Sequence, residues 1–407
     1  MSRGLYIHIP FCASKCAYCD FLSFEGTEEA LQKRYVGALK REISASCKEI
    51  FYDTVYIGGG TPTALPSPLL SSLFSGDWRF NLTDDVEITV EMNPCITSQG
   101  TVCNSTGIPL KVSPWAAMKA LIFDLKVWGV NRLSIGLQAW QDELLERIGR
   151  PHKARDFVAT IKEARAVGID NINVDLMFGL PGQTVEHWRE TIAHVLSYGP
   201  EHISAYSLTP AENTPLWDKL ETGETRLPDD ATDRAMYHEA ITLLSAAGYR
   251  HYELSNFALP GRESRHNVNC WLRRPYIGCG LGAHSFDGAS RWHNPSDMER
   301  YLEGGENHYS HRQFRQNDGK FPCDMVEDYH VLSTQDAMAE TMFLGLRMTD
   351  GVNPSDFYNQ FGKSLTEAYG TEIERLLSQG LLLYKNENIA LTPLGLDLAN
   401  QVFGAFL

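Results

Sequence analysis

Three cysteines lie close together near the start of the chain. Cys12, Cys16 and Cys19 fall within eight positions of the segment YIHIPFCASKCAYCDF, whereas the other six of the nine cysteines are scattered. Three thiolates on one tight loop can ligate three irons of a cubane 4Fe–4S cluster and leave the fourth iron open to another ligand. The spacing therefore predicts an iron–sulfur centre at which a small molecule can bind.

A structural zinc site is the alternative interpretation of this cysteine loop. Zinc in such sites takes four protein ligands, commonly as two separated pairs. The sequence offers no second pair of that kind, because Cys270 and Cys279 are nine positions apart and far from the first cluster. The pattern favours the iron–sulfur cluster and leaves zinc open.

Further groups suited to a ligand follow the apolar strand patterns. The GGGTP segment at 58–62 lets the backbone approach a ligand and offers N–H donors. Glu91 and Asp175 are carboxylates placed where a barrel interior would otherwise be apolar, and a ribose diol would suit either. Gln138 supplies an amide, and Arg150 supplies a planar guanidinium group that can pair with a carboxylate. Each residue taken singly has an equally good structural explanation, but their joint order indicates a cofactor site.

These groups need a scaffold that brings strand ends together, and the first 210 residues predict one. Short apolar strands alternate with amphipathic helix patterns, for example at 154–167 and 185–198. Repeated strand–helix units predict an α/β fold with a parallel sheet, either doubly wound or curled into a barrel. The six predicted strands cover 5–9, 54–57, 86–90, 131–137, 171–178 and 202–208.

The chain is predicted to divide into three parts. Residues 1–230 form the strand–helix region, with a Ser-, Thr- and Gly-rich surface insertion at 95–113. Residues 231–330 extend it with a helix at 231–247 and a loop-rich segment, and residues 331–407 form a mostly helical domain. The end of that domain resembles a winged helix in its spacing. It lacks a basic recognition helix, so a packing or docking module is favoured.

Composition narrows the class of protein. Acidic residues number 51 against 36 basic ones, without a run of lysine or arginine, which disfavours a nucleic-acid groove. No stretch of about 18 apolar residues occurs, so no membrane span is expected. The folded pattern begins at Leu5, which leaves no room for a signal or transit peptide. We therefore expect a cytoplasmic protein.

The motifs as a set resemble the radical S-adenosylmethionine (SAM) superfamily, and within it the oxygen-independent coproporphyrinogen III oxidase family. The matching segments are YIHIPFCASKCAYCDF, YIGGGTPT, VEMNP, GVNRLSIGLQ, NVDLMFGLPGQT, HISAYSLTP, RHNVNCW, GLGAHS and FLGLRMTDGV. The resemblance implies a partial (β/α)6 barrel, a 4Fe–4S cluster on the three cysteines with exchangeable SAM, and a C-terminal helical domain. The SAM contacts that it implies are Tyr6, Gly59, Gly60, Thr61, Glu91, Gln138, Arg150 and Asp175.

Two features favour the haem chaperone branch of this family over its decarboxylating oxidases. The oxidases carry another cysteine two places after the third ligand, where this chain has Phe21. They also have an extended segment ahead of the cysteine loop, whereas only eleven residues precede Cys12. The branch implies binding of haem, its transfer to acceptor proteins, and an electron donor such as a flavodoxin or a ferredoxin.

Two rival functions stay open. One is the oxidase itself, which removes propionate carboxylates from coproporphyrinogen III. The other is a redox-sensing assembly module, in which the C-terminal domain docks a partner. Whether the chain uses radical chemistry, and so whether it is an enzyme, is not settled by the resemblance.

The segment RHNVNCW resembles the HNxxYW motif that is implicated in haem binding in this branch. The haem-binding candidates are His266, Asn267 and Trp271. A histidine can supply an axial ligand to the iron, and an aromatic ring can stack on the macrocycle. The alternative is a loop histidine satisfied by its neighbours. The chain departs from the motif at Cys270, where a tyrosine is expected.

We predict that His266→Ala weakens haem binding and changes the absorption spectrum, because an axial ligand would be lost. Absorbance titration of the reconstituted protein with haem, wild type against variant, measures both. An unchanged spectrum and affinity would remove His266 from the site without affecting the family resemblance.

Overall fold

The computed structural model of the chain describes residues 3–46, 50–94, 101–103, 109–307 and 326–407. In chain order the strands of these residues are β1 (Gly4–Ile9), β2 (Phe11–Cys12), β3 (Phe24–Glu25), β4 (Tyr52–Gly59), β5 (Leu82–Met92), β6 (Thr101–Cys103), β7 (Pro109–Lys111), β8 (Arg132–Gln138), β9 (Ile172–Phe178), β10 (His202–Ser207), β11 (Arg250–Glu253), β12 (Asn256–Ala258), β13 (Tyr276–Cys279), β14 (His284–Phe286), β15 (Ser290–His293), β16 (Glu327–Val331), β17 (Leu382–Lys385) and β18 (Asn388–Leu391).

Helices flank these strands along the chain. They are α1 (Glu29–Ser46), α2 (Ser67–Phe74), α3 (Pro114–Val127), α4 (Asp142–Arg147), α5 (Ala154–Ala166), α6 (Val185–Ser197), α7 (Pro215–Glu221), α8 (Asp230–Ala246), α9 (Arg265–Trp271), α10 (Met298–Asn307), α11 (Thr334–Gly345), α12 (Pro354–Phe361), α13 (Leu365–Ser378), α14 (Pro393–Asp397) and α15 (Ala399–Gly404). Within the described ranges, no helix combines the length and the apolar character that a bilayer crossing requires.

Six parallel strands form the centre of the main sheet, in the order β1-β4-β5-β8-β9-β10. The spatial order of these strands is the same as their order along the chain, as in a barrel. In a doubly wound sheet the strand order would instead reverse at a switch point. All six predicted strands are confirmed within a few residues. Because the strands are parallel, their carboxyl ends lie at one edge of the sheet.

The sheet continues beyond both ends of the six-strand unit. Strand β13 adds to β1 in parallel and leads to β14, β15 and β16, while β12 and β11 continue from β10. The sequence did not predict β13, because YIGC is only four residues long and lacks the apolar alternation of the other strands. The result is a twelve-stranded mixed sheet and a partial barrel, which confirms the predicted α/β fold class.

Alternation along the central strands separates an apolar face from a polar one. In β5, Ile88 and Val90 belong to the hydrophobic core, whereas Thr89 and Glu91 point to the opposite face. The apolar face is covered by helices such as α6, whose Trp188 and Ile192 are buried in the same core. The polar face is therefore left to build a site inside the barrel.

The C-terminal helices have a hydrophobic core of their own. Helices α11 to α15 pack around the β17–β18 hairpin, with residues such as Phe357 and Leu376 in the interior. Glu340 on α11 ties this domain to the sheet, because it accepts hydrogen bonds from Arg273 at 2.7 Å and Arg291 at 2.5 Å. Helices followed by a two-stranded hairpin agree with the predicted winged-helix-like spacing.

Part of the predicted insertion at 95–113 lies outside the described residues, namely 95–100 and 104–108. Its remaining segments pair as the antiparallel strands β6 and β7. The three-part division of the chain stays a prediction.

A buried carboxylate joins α1 to α10 and to the segments that follow β13 and β15. Glu42 on α1 accepts hydrogen bonds from the Gly280 N–H at 2.9 Å, from Asn294 Nδ2 at 2.6 Å and from the Tyr301 hydroxyl at 2.7 Å. The neighbouring Tyr35 hydroxyl donates to the carbonyl of His8 at 2.7 Å. Helix α1 is thereby fixed against the strand that leads into the cysteine loop.

We predict that Glu42→Ala lowers the free energy of unfolding by about 3 kcal/mol, because three buried donors lose their acceptor. Lys40→Ala on the exposed side of the same helix is the control and should change little. Urea denaturation followed by circular dichroism measures the difference. Equal stability of the two variants would contradict this role of Glu42.

Candidate cofactor site

A cavity of about 510 Å³ opens at the carboxyl ends of the parallel strands. It is lined by the cysteine loop and by residues from the ends of β4, β5, β8, β9 and β10. All predicted cluster ligands and all predicted SAM contacts except Tyr6 lie on its wall: Cys12, Cys16, Cys19, Gly59, Gly60, Thr61, Glu91, Gln138, Arg150 and Asp175. The fold thus brings ten residues from separate parts of the chain to one place.

The cysteine loop is held by backbone contacts to its neighbours. The Ala17 N–H donates to the Ile148 carbonyl at 3.0 Å, and the Leu216 N–H donates to the Ala17 carbonyl at 2.8 Å. Burial raises the pKa of the Cys12 thiol and that of the Cys19 thiol. Metal binding would therefore have to displace these protons. In the described residues, no three His, Cys, Asp or Glu side chains are already gathered in a metal-holding group.

The glycine turn after β4 packs directly under this loop. A Cβ at position 60 would lie 2.7 Å from the Phe11 carbonyl oxygen, and one at position 59 would lie 2.5 Å from the His8 ring. Gly59 also has a φ of +112°, a conformation that favours glycine. The Thr61 N–H donates to the Phe11 carbonyl at 2.8 Å. The glycines are needed for this close approach, which leaves Thr61 beside Cys12, with Oγ1 3.8 Å from Sγ.

Two carboxylates stand on neighbouring strands of the polar face. Glu91 accepts hydrogen bonds from the Tyr56 hydroxyl at 2.7 Å and from the Gly59 N–H at 3.1 Å. Burial raises the pKa of Glu91 to about 7, although these two hydrogen bonds favour the ionised form. Asp175 accepts hydrogen bonds from Ser134 at 2.9 Å and from Asn173 at 2.8 Å. Both carboxylates are thus oriented toward the cavity by their neighbours.

Gln138 and Arg150 face each other near the cysteines. Arg150 donates to Cys16 Sγ at 3.3 Å, to Asn93 Oδ1 at 2.5 Å and to the Gly136 carbonyl at 2.8 Å. Gln138 adopts a φ of 66°, which is uncommon for a residue other than glycine. Its buried Oε1 has no hydrogen-bond partner within the described part of the chain. A buried acceptor without a partner at a cavity wall suits a ligand that brings a donor.

Asn93 is a site residue that the sequence analysis missed. Its amide donates to Thr61 at 3.1 Å and accepts from Arg150, so it links the glycine turn to the arginine. Its position two residues after Glu91, at the end of β5, was the available signal, because alternate residues of a strand share a face.

Tyr6 and His8 form a second support below the cavity. The Tyr6 hydroxyl lies 2.9 Å from His8 Nδ1, and His8 Nε2 lies 3.0 Å from the Leu22 carbonyl. A carbonyl only accepts, so Nε2 carries the proton and Nδ1 accepts from Tyr6. His8 is a buried side chain, and through Leu22 it anchors the segment that closes the cysteine loop. Tyr6 is not among the residues that line the cavity, and it contacts His8 beneath it. Tyr56, its neighbour on β4, lines the cavity wall.

The haem candidates lie at the other edge of the sheet. His266 of α9 is buried against the start of β4. Its Nδ1 lies 3.0 Å from the Thr54 hydroxyl, and its ring lies 5.2 Å from the Tyr56 ring. Burial lowers the pKa of His266 to about 4. Trp271 instead lies under the guanidinium of Arg347 at 4.5 Å, and the Asn267 N–H is capped by Ser264. The two rings therefore face different parts of the molecule, and the role of all three residues in haem binding stays a prediction.

The residues at the cavity fit the groups that the cysteine spacing predicts. Three thiols line the same cavity as an arginine, an unpaired amide oxygen and two oriented carboxylates, which suits an iron–sulfur cluster beside a ligand that carries ammonium, carboxylate and ribose groups.

Comparisons with known proteins agree with this geometry. A family model described as the radical SAM superfamily matches residues 6–195, and one described as the HemN C-terminal domain matches residues 332–398. "Heme chaperone HemW" of Bacillus subtilis is 36% identical, with 100% of this chain and 99% of that protein covered. The protein of the same name from Lactococcus lactis is 33% identical, with 100% of this chain and 97% of that protein covered.

One solved structure is similar over the whole chain. It is the coproporphyrinogen III oxidase HemN from Escherichia coli, described as a radical SAM enzyme, with a TM-score of 0.79. The alignment covers 100% of this chain and 90% of that one at 21% sequence identity. At this identity the likeness establishes the shared fold.

We predict that His8→Leu speeds the loss of iron to a chelator about tenfold after anaerobic reconstitution, because residues that position metal ligands commonly have effects of this size. Tyr6→Phe, which keeps the His8–Leu22 contact, should have a smaller effect. Iron release is followed by absorbance with a ferrous chelator. Wild-type retention of iron in His8→Leu would show that His8 does not hold the loop.

Proposed function

This chain belongs to the HemW family within the radical SAM superfamily, and from that premise we propose that it is a haem chaperone, which binds haem and passes it to acceptor proteins. Its relatives that carry this name align with the chain from end to end. The observation that carries the proposal is the cavity that unites the cysteine loop with polar groups from five strands. It supports a 4Fe–4S cluster and SAM as resident cofactors.

Each group at the cavity has a role in this proposal. Cys12, Cys16 and Cys19 hold the cluster, which when bound and reduced supplies the electron for SAM cleavage. Gln138 Oε1 accepts a hydrogen bond from the ammonium group of the methionine moiety, and Arg150 pairs with its carboxylate. Glu91 and Asp175, which Tyr56, Ser134 and their neighbours orient, would accept hydrogen bonds from the ribose hydroxyls of SAM, and the glycine turn would let the methionine moiety approach the backbone.

Phe21 favours the chaperone over the decarboxylating oxidase. It occupies the place of the further cysteine that the oxidases carry after the third ligand, as the resemblance implies. Its side chain is 65% exposed at the rim of the cavity. An apolar ring there can neither ligate metal nor transfer a proton, so chemistry that needs the thiol is lost.

The partners follow from this function. We propose haem and haem-accepting proteins as cargo and recipients, and a flavodoxin or a ferredoxin as the electron donor to the cluster. We also propose the cytoplasm as the place of action.

The direct test of the function has two parts. The chaperone should bind haem at about one equivalent per chain in an absorbance titration. In anaerobic incubation with coproporphyrinogen III, SAM and a reductant, it should form no protoporphyrinogen. Protoporphyrinogen formation would replace the proposal with the oxidase function, whereas an absence of haem binding with normal cluster assembly would favour a redox-sensing module.

We predict that SAM affinity of the reconstituted protein rises about tenfold from about pH 6 to about pH 8. The pKa of Glu91 near 7 means that its carboxyl is protonated below that pH, and only the ionised form can accept from both neighbours and the ribose. Isothermal titration measures the affinity. Glu91→Gln should bind weakly with a flat profile, while Asp175→Asn should bind weakly and keep the slope. A flat wild-type profile would contradict this role of Glu91.

A further inference from the structure

Asn93 stands between two polar side chains that reach the cysteine sulfurs. Its Nδ2 donates to Thr61 Oγ1 at 3.1 Å, and its Oδ1 accepts from Arg150 Nη2 at 2.5 Å. We propose that Asn93 raises the reduction potential of the iron–sulfur cluster by positioning these two side chains against the sulfurs of Cys12 and Cys16. The proposal rests on the 4Fe–4S cluster of the proposed function and assigns a residue that tunes it.

The directions of the hydrogen bonds follow from the arginine. A guanidinium group only donates, so the amide atom that faces Arg150 is the oxygen of Asn93, and its NH2 group faces Thr61. The Thr61 oxygen therefore accepts from Asn93, and its own hydrogen is left for Cys12 Sγ, which lies 3.8 Å away. A cysteine that ligates a metal is a thiolate and has no hydrogen to donate, so Thr61 is the donor of this contact.

The second donor to the sulfurs is the guanidinium of Arg150. Its Nη1 donates to Cys16 Sγ at 3.3 Å, while its Nη2 donates to Asn93 and to the Gly136 carbonyl at 2.8 Å. Gly136 leaves the room for this arrangement, because a Cβ at that position would lie 2.9 Å from Arg150 Nη2 and 3.4 Å from Asn93 Oδ1. One nitrogen is thus held from two sides while the other faces the sulfur.

The backbone around Asn93 fixes its amide at the end of β5. The flanking residues, Met92 and Pro94, are both buried, whereas Asn93 lines the cavity. Pro94 restricts the residue before it to an extended conformation. The Pro94 carbonyl also accepts a buried hydrogen bond from Thr160 of α5 at 3.0 Å. The chain therefore presents the amide from a segment that is tied to both the sheet and a helix.

Donors at these sulfurs favour the reduced state of a cluster. Reduction adds negative charge to the cluster and its cysteine sulfurs, so a hydroxyl donor and a cation beside them stabilise the reduced form more than the oxidised form. Hydrogen bonds to the sulfurs and net charge are among the factors that set the potential of such clusters. Loss of the Asn93 amide removes the contact that orients both donors, and the potential should fall.

The test is a redox titration of the anaerobically reconstituted full chain with dithionite, followed by electron paramagnetic resonance. SAM is left out, so that its carboxylate does not compete for Arg150. The step is a one-electron reduction by dithionite, with no bond broken and no proton moved. Asn93→Leu, which has a similar size and no hydrogen-bonding groups, should lower the ratio of reduced to oxidised cluster at a fixed potential about tenfold, or about 59 mV for a one-electron couple.

Thr61→Val tests one of the two donors by itself. It removes only the hydroxyl and should lower the same ratio about threefold. Because Asn93 acts partly through Thr61, the double variant should show less than the product of the two single effects.

Asn131→Leu is the matched control. Asn131 also binds β5 through both ends of its amide, accepting from the Ile88 N–H at 2.8 Å and donating to the Val86 carbonyl at 2.7 Å, but at the amino edge of the sheet. This variant should lower stability in urea denaturation and leave the potential unchanged.

The outcomes separate this role from the proposed function. A wild-type potential in Asn93→Leu would overturn the role, as would an equal shift in Asn131→Leu. If Asn93→Leu takes up too little iron to titrate, a wild-type potential in Thr61→Val overturns it. A wild-type chain that assembles no 4Fe–4S cluster would overturn the cofactor proposal and this role with it, whereas failure to bind haem would overturn the chaperone function alone.

Discussion

The cysteine loop packs against the glycine turn after β4, and the cofactor cavity depends on this contact. The Phe11 carbonyl fits against Gly60 so closely that any side chain at that position would collide with it. Thr61 donates to the same carbonyl, and its hydroxyl lies beside Cys12. The two segments are far apart in sequence, and this contact makes them one surface.

The parallel sheet has a cavity at each edge, and the two cavities differ in their lining residues. Its carboxyl edge carries the thiols, carboxylates and amides of the cofactor cavity, and its amino edge carries the arginine-lined cavity beside α9. On the polar face between them, Tyr56 contacts both Glu91 and the ring of His266.

Local sequence patterns predicted the central strands well, and the SAM contacts that the family resemblance implies, apart from Tyr6, line one cavity. Apolar strands between amphipathic helices predicted all six central strands, because periodicity reports burial directly. The pattern could not show that Asn93 joins Thr61 to Arg150, or that His8 holds Leu22, since these hydrogen bonds join residues that only the fold brings together. Strand β13 was too short to be predicted, and the side of α9 that His266 occupies depends on packing against β4.

The electron paramagnetic resonance spectrum of the reduced, reconstituted protein, recorded with and without SAM, tests the central claim most directly. A cluster with one open iron predicts about four irons and four sulfides per chain and a signal that shifts when SAM binds. A protein that takes up zinc in place of iron and sulfide, or a cluster signal that SAM leaves unchanged, would contradict the claim.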